Sequence, residues 1–310
     1  MPTFLPKTIV LSKSAPIKIQ GIKTKLVPFI AASIKWDGAG RWIEPFMGSC
    51  VVALNIAPKR ALLGDTNEHL IRFYQQVQSG EITPERVKLF LETEGALLLE
   101  KGETHFYEVR ARFNAEKSPL DLLFLNRACF NGLMRFNQKK AGFNVPFCRK
   151  PERFRQALIT KICNQIALAA KVMHGKDWVF KCQDWKDTLE QAGVGDFAYL
   201  DAPYLGRHAD YYNKWSEVEA DALVAAIKAL PCGFAYSMWQ GNKHRENEHL
   251  VTSFEGFHRE TFEHFYHVGA SEDLRGAMME ALVISPENVA GLTHQAPADA
   301  MTELQVELAL

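Results

Sequence analysis

Short apolar runs alternate with helical stretches along most of the chain, and this alternation limits the possible folds more than any other feature. Runs that predict strands cover residues 41–44, 61–63, 178–181, 196–200, 233–237 and 280–284. Patterns that predict helices lie between them, at residues 50–56, 68–77, 83–100, 151–173 and 220–230. Strands separated by helices are typical of a mostly parallel sheet covered on both faces. The sequence therefore predicts an α/β fold.

Four acidic residues end or follow predicted strands, namely Glu44, Asp65, Asp184 and Asp201. The carboxyl ends of parallel strands meet at one edge of the sheet, where such folds bind their ligands. We therefore expect these carboxylates to line one crevice. Each aspartate, taken alone, could instead cap the helix that follows it.

The turn at residues 46–50 (FMGSC) joins a predicted strand to a predicted helix. Gly48 would allow close approach of the backbone to a nucleotide-like cofactor, although such turns also occur without ligands. The turn lacks the full G-x-G-x-x-G pattern, and the chain has no P-loop, which disfavours hydride and phosphoryl transfer. Asp65 ends the next strand, where an acid binds ribose hydroxyls in related folds. This pair indicates an adenosine-containing cofactor.

Composition excludes several classes of protein. The chain has 310 residues, of which 47% are hydrophobic, so it is neither a small disulfide scaffold nor a disordered chain. Its six cysteines are scattered without a C-x-x-C pair, and we expect no metal site. No stretch approaches the ~18–20 consecutive apolar residues of a membrane span, and the N-terminus lacks a secretory signal pattern. We expect a soluble, cytoplasmic protein with no membrane partner.

Positive charge is concentrated in one segment of a chain whose 36 Lys and Arg balance 36 Asp and Glu. Residues 107–161 contain twelve Lys or Arg against four acids, a net charge of +8 that the remainder balances with −8. This asymmetry is typical of binding to a phosphate backbone. A solvated basic face would show the same pattern.

Five short motifs follow one another along the chain, at residues 21–26 (GIKTKL), 44–51 (EPFMGSCV), 65–67 (DTN), 127–147 (RACFNGLMRFNQKKAGFNVPF) and 201–204 (DAPY). In the same order, they resemble the G-x-K-x-x-L, E-P-F-x-G-x-G and D-x-N motifs, the DNA-recognition stretch and the D-P-P-Y motif of one enzyme family. That family is the Dam-type (D12) class of DNA adenine-N6 methyltransferases. The resemblance extends over about residues 21–285.

The resemblance implies a Rossmann-like S-adenosylmethionine-dependent methyltransferase sheet, formed by residues 1–70 and 151–310. Residues 71–150 would be an inserted lobe that recognises the target. The protein would transfer a methyl group to N6 of adenine in a specific sequence of double-stranded DNA, in a prokaryotic or phage-infected cell and at the nucleoid. It would be the modification half of a restriction-modification system, with a cognate restriction endonuclease, or a phage or orphan methylase.

The resemblance also implies roles for individual residues. The Asp201 carboxylate and the Ala202 carbonyl would accept hydrogen bonds from the target amine, while Tyr204, after Pro203, would stack on the extruded base. The residues that would bind the cofactor are Lys23, Glu44, Phe46, Gly48, Asp65 and Asp184. For Glu44, a helix-capping role is an equal alternative.

A further set of residues would contact DNA. Phe130 and Asn131 would enter the duplex near the flipped base, and Leu133 and Arg135 would approach base edges. For Phe130 and Leu133 the alternative is a small core within the lobe. Phosphate contacts are predicted for Arg127, Lys139, Lys140 and Arg149, and other DNA contacts for Asn137 and Arg207.

Two residues depart from the family pattern. Ala202 stands in place of the first proline of D-P-P-Y but keeps the carbonyl that the mechanism uses. Cys50 replaces the second glycine of the turn, which is tolerable if its φ is negative.

Three other functions remain open on the sequence alone. Cytosine-N4 methylation poses the same chemical problem. Cytosine-C5 methylation would use Cys232 as the nucleophile, but a cysteine at the start of a predicted buried strand disfavours it. The third is a DNA-binding protein with impaired catalysis.

Overall fold

The computed structural model describes residues 3–137, 142–204, 215–242, 245–266 and 276–291. Its strands, in chain order, are β1 (Trp42–Glu44), β2 (Arg60–Asp65), β3 (Phe136–Asn137), β4 (Gly142–Phe143), β5 (Asp177–Cys182), β6 (Phe197–Leu200), β7 (Gly233–Asn242), β8 (Arg245–Glu246), β9 (His258–Tyr266) and β10 (Gly276–Ile284). Strands β3 and β4 form a separate hairpin, and the other eight form one sheet.

The helices follow local signals in the sequence. They are α1 (Val27–Ser33), α2 (Val51–Ile56), α3 (Glu68–Ser79), α4 (Pro84–Lys101), α5 (Glu103–Glu116), α6 (Pro119–Ala128), α7 (Gln156–Met173), α8 (Trp185–Leu189), α9 (Glu217–Lys228) and α10 (Glu248–Ser253). The Asn67 side chain caps α3, and Gly80 ends that helix with a positive φ. Thr83 caps α4, which starts with Pro84 at its first position. None of the helices in these ranges has the length and apolar character needed to cross a membrane.

The sheet has the order β5-β2-β1-β6-β7-β10-β9, with β8 paired to β7. Strands β5, β2, β1, β6 and β7 are parallel, whereas β10 is antiparallel to both of its neighbours, β7 and β9. The chain builds outward from β1 in one direction through β2 and β5, then in the other through β6 and β7. The point where the order reverses lies between β1 and β6, which is where doubly wound sheets bind ligands. The predicted, mostly parallel α/β sheet is confirmed.

Both faces of the central strands are buried. Trp42 and Tyr199 face a large core that also contains residues of α1, α2, α3 and α7, whereas Ile43 and Leu200 face a second core under α8, α9 and α10. The large core continues without a break into helices α4, α5 and α6, where Phe113 and Phe124 are fully buried. The helices that carry the basic segment are therefore packed onto the same core as the sheet.

Candidate active site

A crevice of about 410 Å³ opens at the carboxyl ends of β1, β2 and β6. Its walls include all four acids that follow strands, Glu44, Asp65, Asp184 and Asp201, which confirms that they share one site. The other predicted cofactor residues, Lys23, Phe46 and Gly48, also line it, as do Pro203 and Tyr204. Ala202 is buried against the second core. The structure thus brings the separate sequence motifs together, and their individual roles remain predictions.

The turn after β1 is fixed by the acid at the end of β2. The Gly48 amide donates to Asp65 Oδ2 at 2.9 Å, and the Asn67 amide donates to Asp65 Oδ1 at 2.8 Å. Burial raises the pKa of Asp65, and the two amides partly offset this effect. Gly48 has a φ of +50°, a conformation that favours glycine.

Cys50 does not have the negative φ on which its tolerance was predicted to depend. Its φ is +60°, in the left-handed region, and its side chain is fully buried at the start of α2. A glycine would adopt this left-handed conformation with less strain, because it has no Cβ. The expectation for Cys50 is corrected on this point.

Asp201 is held by a buried ammonium group. Lys23 Nζ lies 2.9 Å from Asp201 Oδ1, and it also donates to the Tyr204 hydroxyl at 2.8 Å and the Gly21 carbonyl at 3.3 Å. The Tyr204 hydroxyl in turn donates to the carboxylate of Glu280 on β10, with distances of 2.9 and 2.8 Å to its two oxygens. Lys23 and Glu280 are buried, whereas the Asp201 side chain is 23% exposed towards the crevice.

Charge within the crevice is set by burial and by these neighbours. Burial raises the pKa of Asp201, the Lys23 ammonium opposes that shift, and the charge of Glu280 adds to it. Burial also raises the pKa of Glu44 to about 8, although the Trp42 indole donates to Glu44 Oε1 at 2.7 Å. The amide of Ala53, in the first turn of α2, also lowers the Glu44 pKa, so this carboxyl group faces the helix start as well as the crevice.

Aromatic rings from three segments form one wall of the crevice. Phe46 stacks on Trp185 at a centroid distance of 6.5 Å and meets Trp215 edge-on at 5.6 Å. Asp184 caps α8 through the Lys186 amide at 3.0 Å, so its helix-capping role is confirmed alongside its place in the crevice. Such a wall suits a flat ring system.

The segment that was expected to recognise DNA runs from the end of α6 into the β3–β4 hairpin. The Phe130 ring is 51% exposed, so the alternative that it belongs to a small core is wrong. Asn131 is exposed with a φ of +53°. Leu133 is half-buried, packs against the large core and also lines the crevice.

The remaining predicted DNA contacts differ in their surroundings. Arg135 Nε donates to Asn144 Oδ1 at 2.9 Å, which ties the start of the hairpin to its end. Asn137 and Arg149 are exposed. Lys139, Lys140 and Arg207 lie outside the described residues.

The predicted phosphate contact of Arg127 is wrong. The side chain is buried beneath the N-terminal segment, where its guanidinium donates to the Pro16 carbonyl and to Gln165 Oε1. Burial lowers the pKa of Arg127 to about 10. Its place in a basic segment predicted a surface position, but the Arg127 side chain instead links α6 to α7 through its hydrogen bond to Gln165.

Cys232 is a poor nucleophile in this setting. It is half-buried before β7 and does not line the crevice, and burial raises the pKa of its thiol to about 11. A thiolate nucleophile needs the opposite shift. The cytosine-C5 alternative is therefore not supported.

Sequence reasoning missed Glu280, Trp185 and Trp215. Glu280 opens an apolar run, and a charged residue buried in such a run needs a partner. The sequence therefore contained a signal for Glu280, but it could not identify Tyr204 as the partner. Within the described residues, no group of three or more His, Cys, Asp or Glu is arranged to hold a metal ion.

The sheet order and the crevice at its strand ends define a Rossmann-like methyltransferase fold. The chain belongs to the D12 class N6 adenine-specific DNA methyltransferase family, whose sequence model matches residues 20–268. The retron Ec67 DNA adenine methylase of Escherichia coli is 29% identical over 207 residues, which are 64% of this chain and 66% of that protein.

Two further comparisons give similar proteins. The type II methyltransferase M.MjaIII of Methanocaldococcus jannaschii is 28% identical over 206 residues, or 61% of this chain and 68% of that protein. Among solved structures, the rRNA methyltransferase aviRa from Streptomyces viridochromogenes aligns over 93% of this chain and 92% of that chain. Its TM-score of 0.35 and 10% identity are too low to support any argument.

Proposed function

We propose that this protein transfers a methyl group from S-adenosylmethionine to N6 of adenine in a specific double-stranded DNA sequence. The observation that carries the proposal is the partly exposed Asp201 carboxylate, fixed by Lys23 at 2.9 Å in the crevice between β1 and β6. Family membership supports the choice of adenine over cytosine-N4.

The crevice has the size and groups that S-adenosylmethionine would need. Its volume of about 410 Å³ is within the range of pockets that hold small cofactors. Asp65 and Gly48 would hold the ribose end, since each oxygen of the Asp65 carboxylate can accept a second bond. Phe46 and Asp184 would hold the adenine, and Glu44 the methionine end. When bound, the cofactor supplies an electrophilic methyl group on a sulfonium.

The chemistry required of the chain is hydrogen-bond acceptance. The exocyclic amine of adenine is a poor nucleophile because its lone pair is delocalised into the ring. The Asp201 carboxylate and the Ala202 carbonyl would accept its two N–H groups and favour the tetrahedral, increasingly cationic nitrogen. Tyr204, whose hydroxyl is bonded to Lys23 and Glu280, would stack its ring on the extruded base. Positioning and preorganised charge would supply most of the rate.

We infer that residues 71–150 act as the target-recognition lobe. The exposed Phe130 ring and Asn131 would occupy space in the duplex, and Arg135 would approach base edges. Asn137 and Arg149 remain available for further DNA contacts, since both are exposed.

Transfer of labelled methyl groups to duplex DNA tests the proposal. Product DNA digested to nucleosides should contain N6-methyladenine, and Asp201→Ala should lower kcat by at least the ~100-fold typical of losing one such acceptor. Asp187→Ala, an exposed acid on α8 outside the crevice, is the matched control. Normal methylation by Asp201→Ala, or a product of N4-methylcytosine, would overturn the proposal.

The biological setting that we propose is DNA modification in the cytoplasm of a prokaryotic cell, as half of a restriction-modification system or as a phage or orphan enzyme. The name of the relative M.MjaIII, a type II methyltransferase, supports the first setting. Sequencing genomic DNA from expressing cells, with detection of modified bases, should reveal one methylated motif. Resistance of that DNA to an endonuclease encoded nearby would identify the partner.

A further inference from the structure

Three segments converge on the last turn of α6. The Lys18 amide donates to Asn126 Oδ1 at 2.9 Å, and Asn126 Nδ2 returns a bond to the Lys18 carbonyl at 2.8 Å. Arg153 Nε donates to the Arg127 carbonyl at 2.9 Å. These backbone and side-chain bonds bring a lysine of the N-terminal segment close to an arginine that precedes α7.

The side chains at this point carry unbalanced positive charge. Lys18 and Lys161 are exposed, and Arg153 is half-buried. Packing of the Lys18 side chain against the protein desolvates its ammonium group even though the residue reaches solvent. This desolvation, together with the charges of Arg127, Arg153 and Lys161, lowers the pKa of Lys18 to about 8. No carboxylate contributes to that shift, and within the described part of the chain Lys18, Arg153 and Lys161 form no ion pair with an acid. Cations kept together without counter-charge are a common feature of anion sites.

This group of cations lies beside the crevice. Residues 19–21, directly after Lys18, line the crevice, as does Leu133. The aliphatic part of the Lys18 side chain packs on the loop between α6 and β3 (residues 129–135), which we call the recognition loop. A Cβ added at Gly132 in this loop would lie 3.3 Å from Lys18 Cδ. The exposed Phe130 ring belongs to the same loop.

We propose that Lys18, Arg153 and Lys161 form a phosphate clamp, which binds the backbone of the substrate DNA duplex beside the recognition loop. The proposal rests on the proposed function. It assigns phosphate binding to these three cations, whereas the sequence had predicted that role for Arg127, which is buried. A phosphate backbone fits because it offers anionic oxygens in series, to which several neighbouring cations can bind together. The negative end of α6 explains the bond of Arg153 to a carbonyl, but it does not account for Lys18 and Lys161.

Salt dependence of duplex binding tests the clamp. In the double variant Lys18→Ala/Lys161→Ala, the negative slope of log K for DNA binding against log salt should become shallower by about 1.8. Each lost phosphate contact reduces the steepness by about 0.9. Affinity near 0.1 M salt should fall by at least tenfold. The loss should be equal for target and unrelated sequences, because phosphate contacts do not read bases.

Lys171→Ala is the control for the α7 lysine, since it removes one positive charge from an exposed site about 15 Å beyond Lys161 along the helix. It should leave the slope unchanged. Arg153→Lys, which keeps the charge, should retain most of the binding, and thermal melting checks that each variant is folded. An unchanged slope in the folded double variant would overturn the clamp, as would stronger competition by a matched RNA duplex than by DNA.

The clamp and the proposed function fail in different ways. If the wild type binds duplex DNA with a slope that the double variant lowers, yet transfers no methyl group, the clamp stands and the proposed function is wrong. If the wild type methylates adenine and the double variant keeps both its salt slope and its KM for DNA, the clamp alone is wrong.

Discussion

Lys23 and Asp201 are far apart in the sequence, yet their contact determines the charge in the crevice. Lys23 uses its three ammonium protons on Asp201, Tyr204 and the Gly21 carbonyl. Burial raises the pKa of Asp201, and the ammonium opposes this shift. A carboxylate accepts a hydrogen bond from an amine more strongly than a neutral carboxyl group does, so Lys23 favours the form of Asp201 that the proposed reaction uses.

Replacing Lys23 should therefore change the pH dependence of methyl transfer. In the wild type, activity falls as the pH drops through the raised pKa of Asp201. Lys23→Met removes the opposing cation, so the pKa rises further and the acidic limb of kcat should move to higher pH. Lys25→Met, an exposed neighbour, should leave the limb in place. A profile of kcat against pH distinguishes these results, and an unmoved limb in Lys23→Met would show that the ammonium has no such effect.

Cys50 combines a fully buried side chain with a left-handed backbone. Cys50→Ala and Cys50→Gly remove the same sulfur atom but differ in backbone freedom. Because the left-handed conformation costs a residue with a Cβ about 1 kcal/mol, the glycine variant should be the more stable of the two by about that amount. Denaturant unfolding measures the difference. Equal stability of the two variants would argue against strain at this turn.

Among the secondary-structure elements, the strands of the parallel part of the sheet were predicted from the sequence. Strands β1, β2, β5, β6 and β7 were predicted because continuous apolar runs between helices are typical of parallel sheets. Strand β9 (HRETFEHFY) was missed because polar residues interrupt it at the sheet edge, and α1 and α5 were missed because their sequences carry weak helical signals. The motifs identified most of the residues that line the crevice. Glu280, Trp185 and Trp215 lie outside the motifs, and only tertiary packing brings them to the site.

Helices α4, α5 and α6 are joined by a buried charge network. Arg112 of α5 donates to Glu94 of α4 at 3.0 Å and to both oxygens of Asp121 of α6 at 2.9 and 2.5 Å. His105 Nε2 lies 2.7 Å from the other oxygen of Glu94. Both carboxylates are buried, whereas the arginine is partly exposed.

Removing the central cation should loosen these helices. Arg112→Ala leaves two buried carboxylates without their partner, and we expect a loss of about 2–3 kcal/mol in the free energy of unfolding, below the value for a fully buried pair because the arginine is partly solvated. Lys101→Ala breaks an exposed, solvent-screened pair with Glu108 at 3.7 Å and should change the free energy of unfolding far less. Equal losses in the two variants, by chemical denaturation, would contradict this view of the network.

Over the whole molecule, charge is balanced in number but not in position. The positive segment predicted a nucleic-acid face, but the structure divides its members, because Arg112 and Arg127 serve internal contacts while Lys161 stays on the surface with Lys18 from outside the segment. Counting charge along the sequence could not separate these two groups. Their separation depends on which side of α5, α6 and α7 meets the core.

Binding of DNA should accordingly weaken as the solution becomes alkaline. Lys18 has a pKa of about 8, lowered by burial and by Arg127, Arg153 and Lys161, with Cys129 the one group that opposes this. As pH rises from 7 to 9 the Lys18 ammonium loses its proton, so a bound phosphate keeps only the charges of Arg153 and Lys161 unless Lys18 takes up a proton. At constant salt, affinity should fall over this range in the wild type and stay flat in Lys18→Arg, which remains charged. A parallel fall in both proteins, by titration of labelled duplex, would exclude Lys18 as the origin.

The bond between Tyr204 and Glu280 has a consequence for synthesis. Glu280 lies on β10, which is inserted between β7 and β9, and its partner precedes it by 76 residues. During synthesis, the first four motifs and residues 201–204 therefore leave the ribosome well before β10, the strand whose Glu280 holds the Tyr204 hydroxyl. Until β10 emerges and pairs with β7 and β9, the nascent polypeptide lacks the carboxylate that holds the Tyr204 hydroxyl in the crevice.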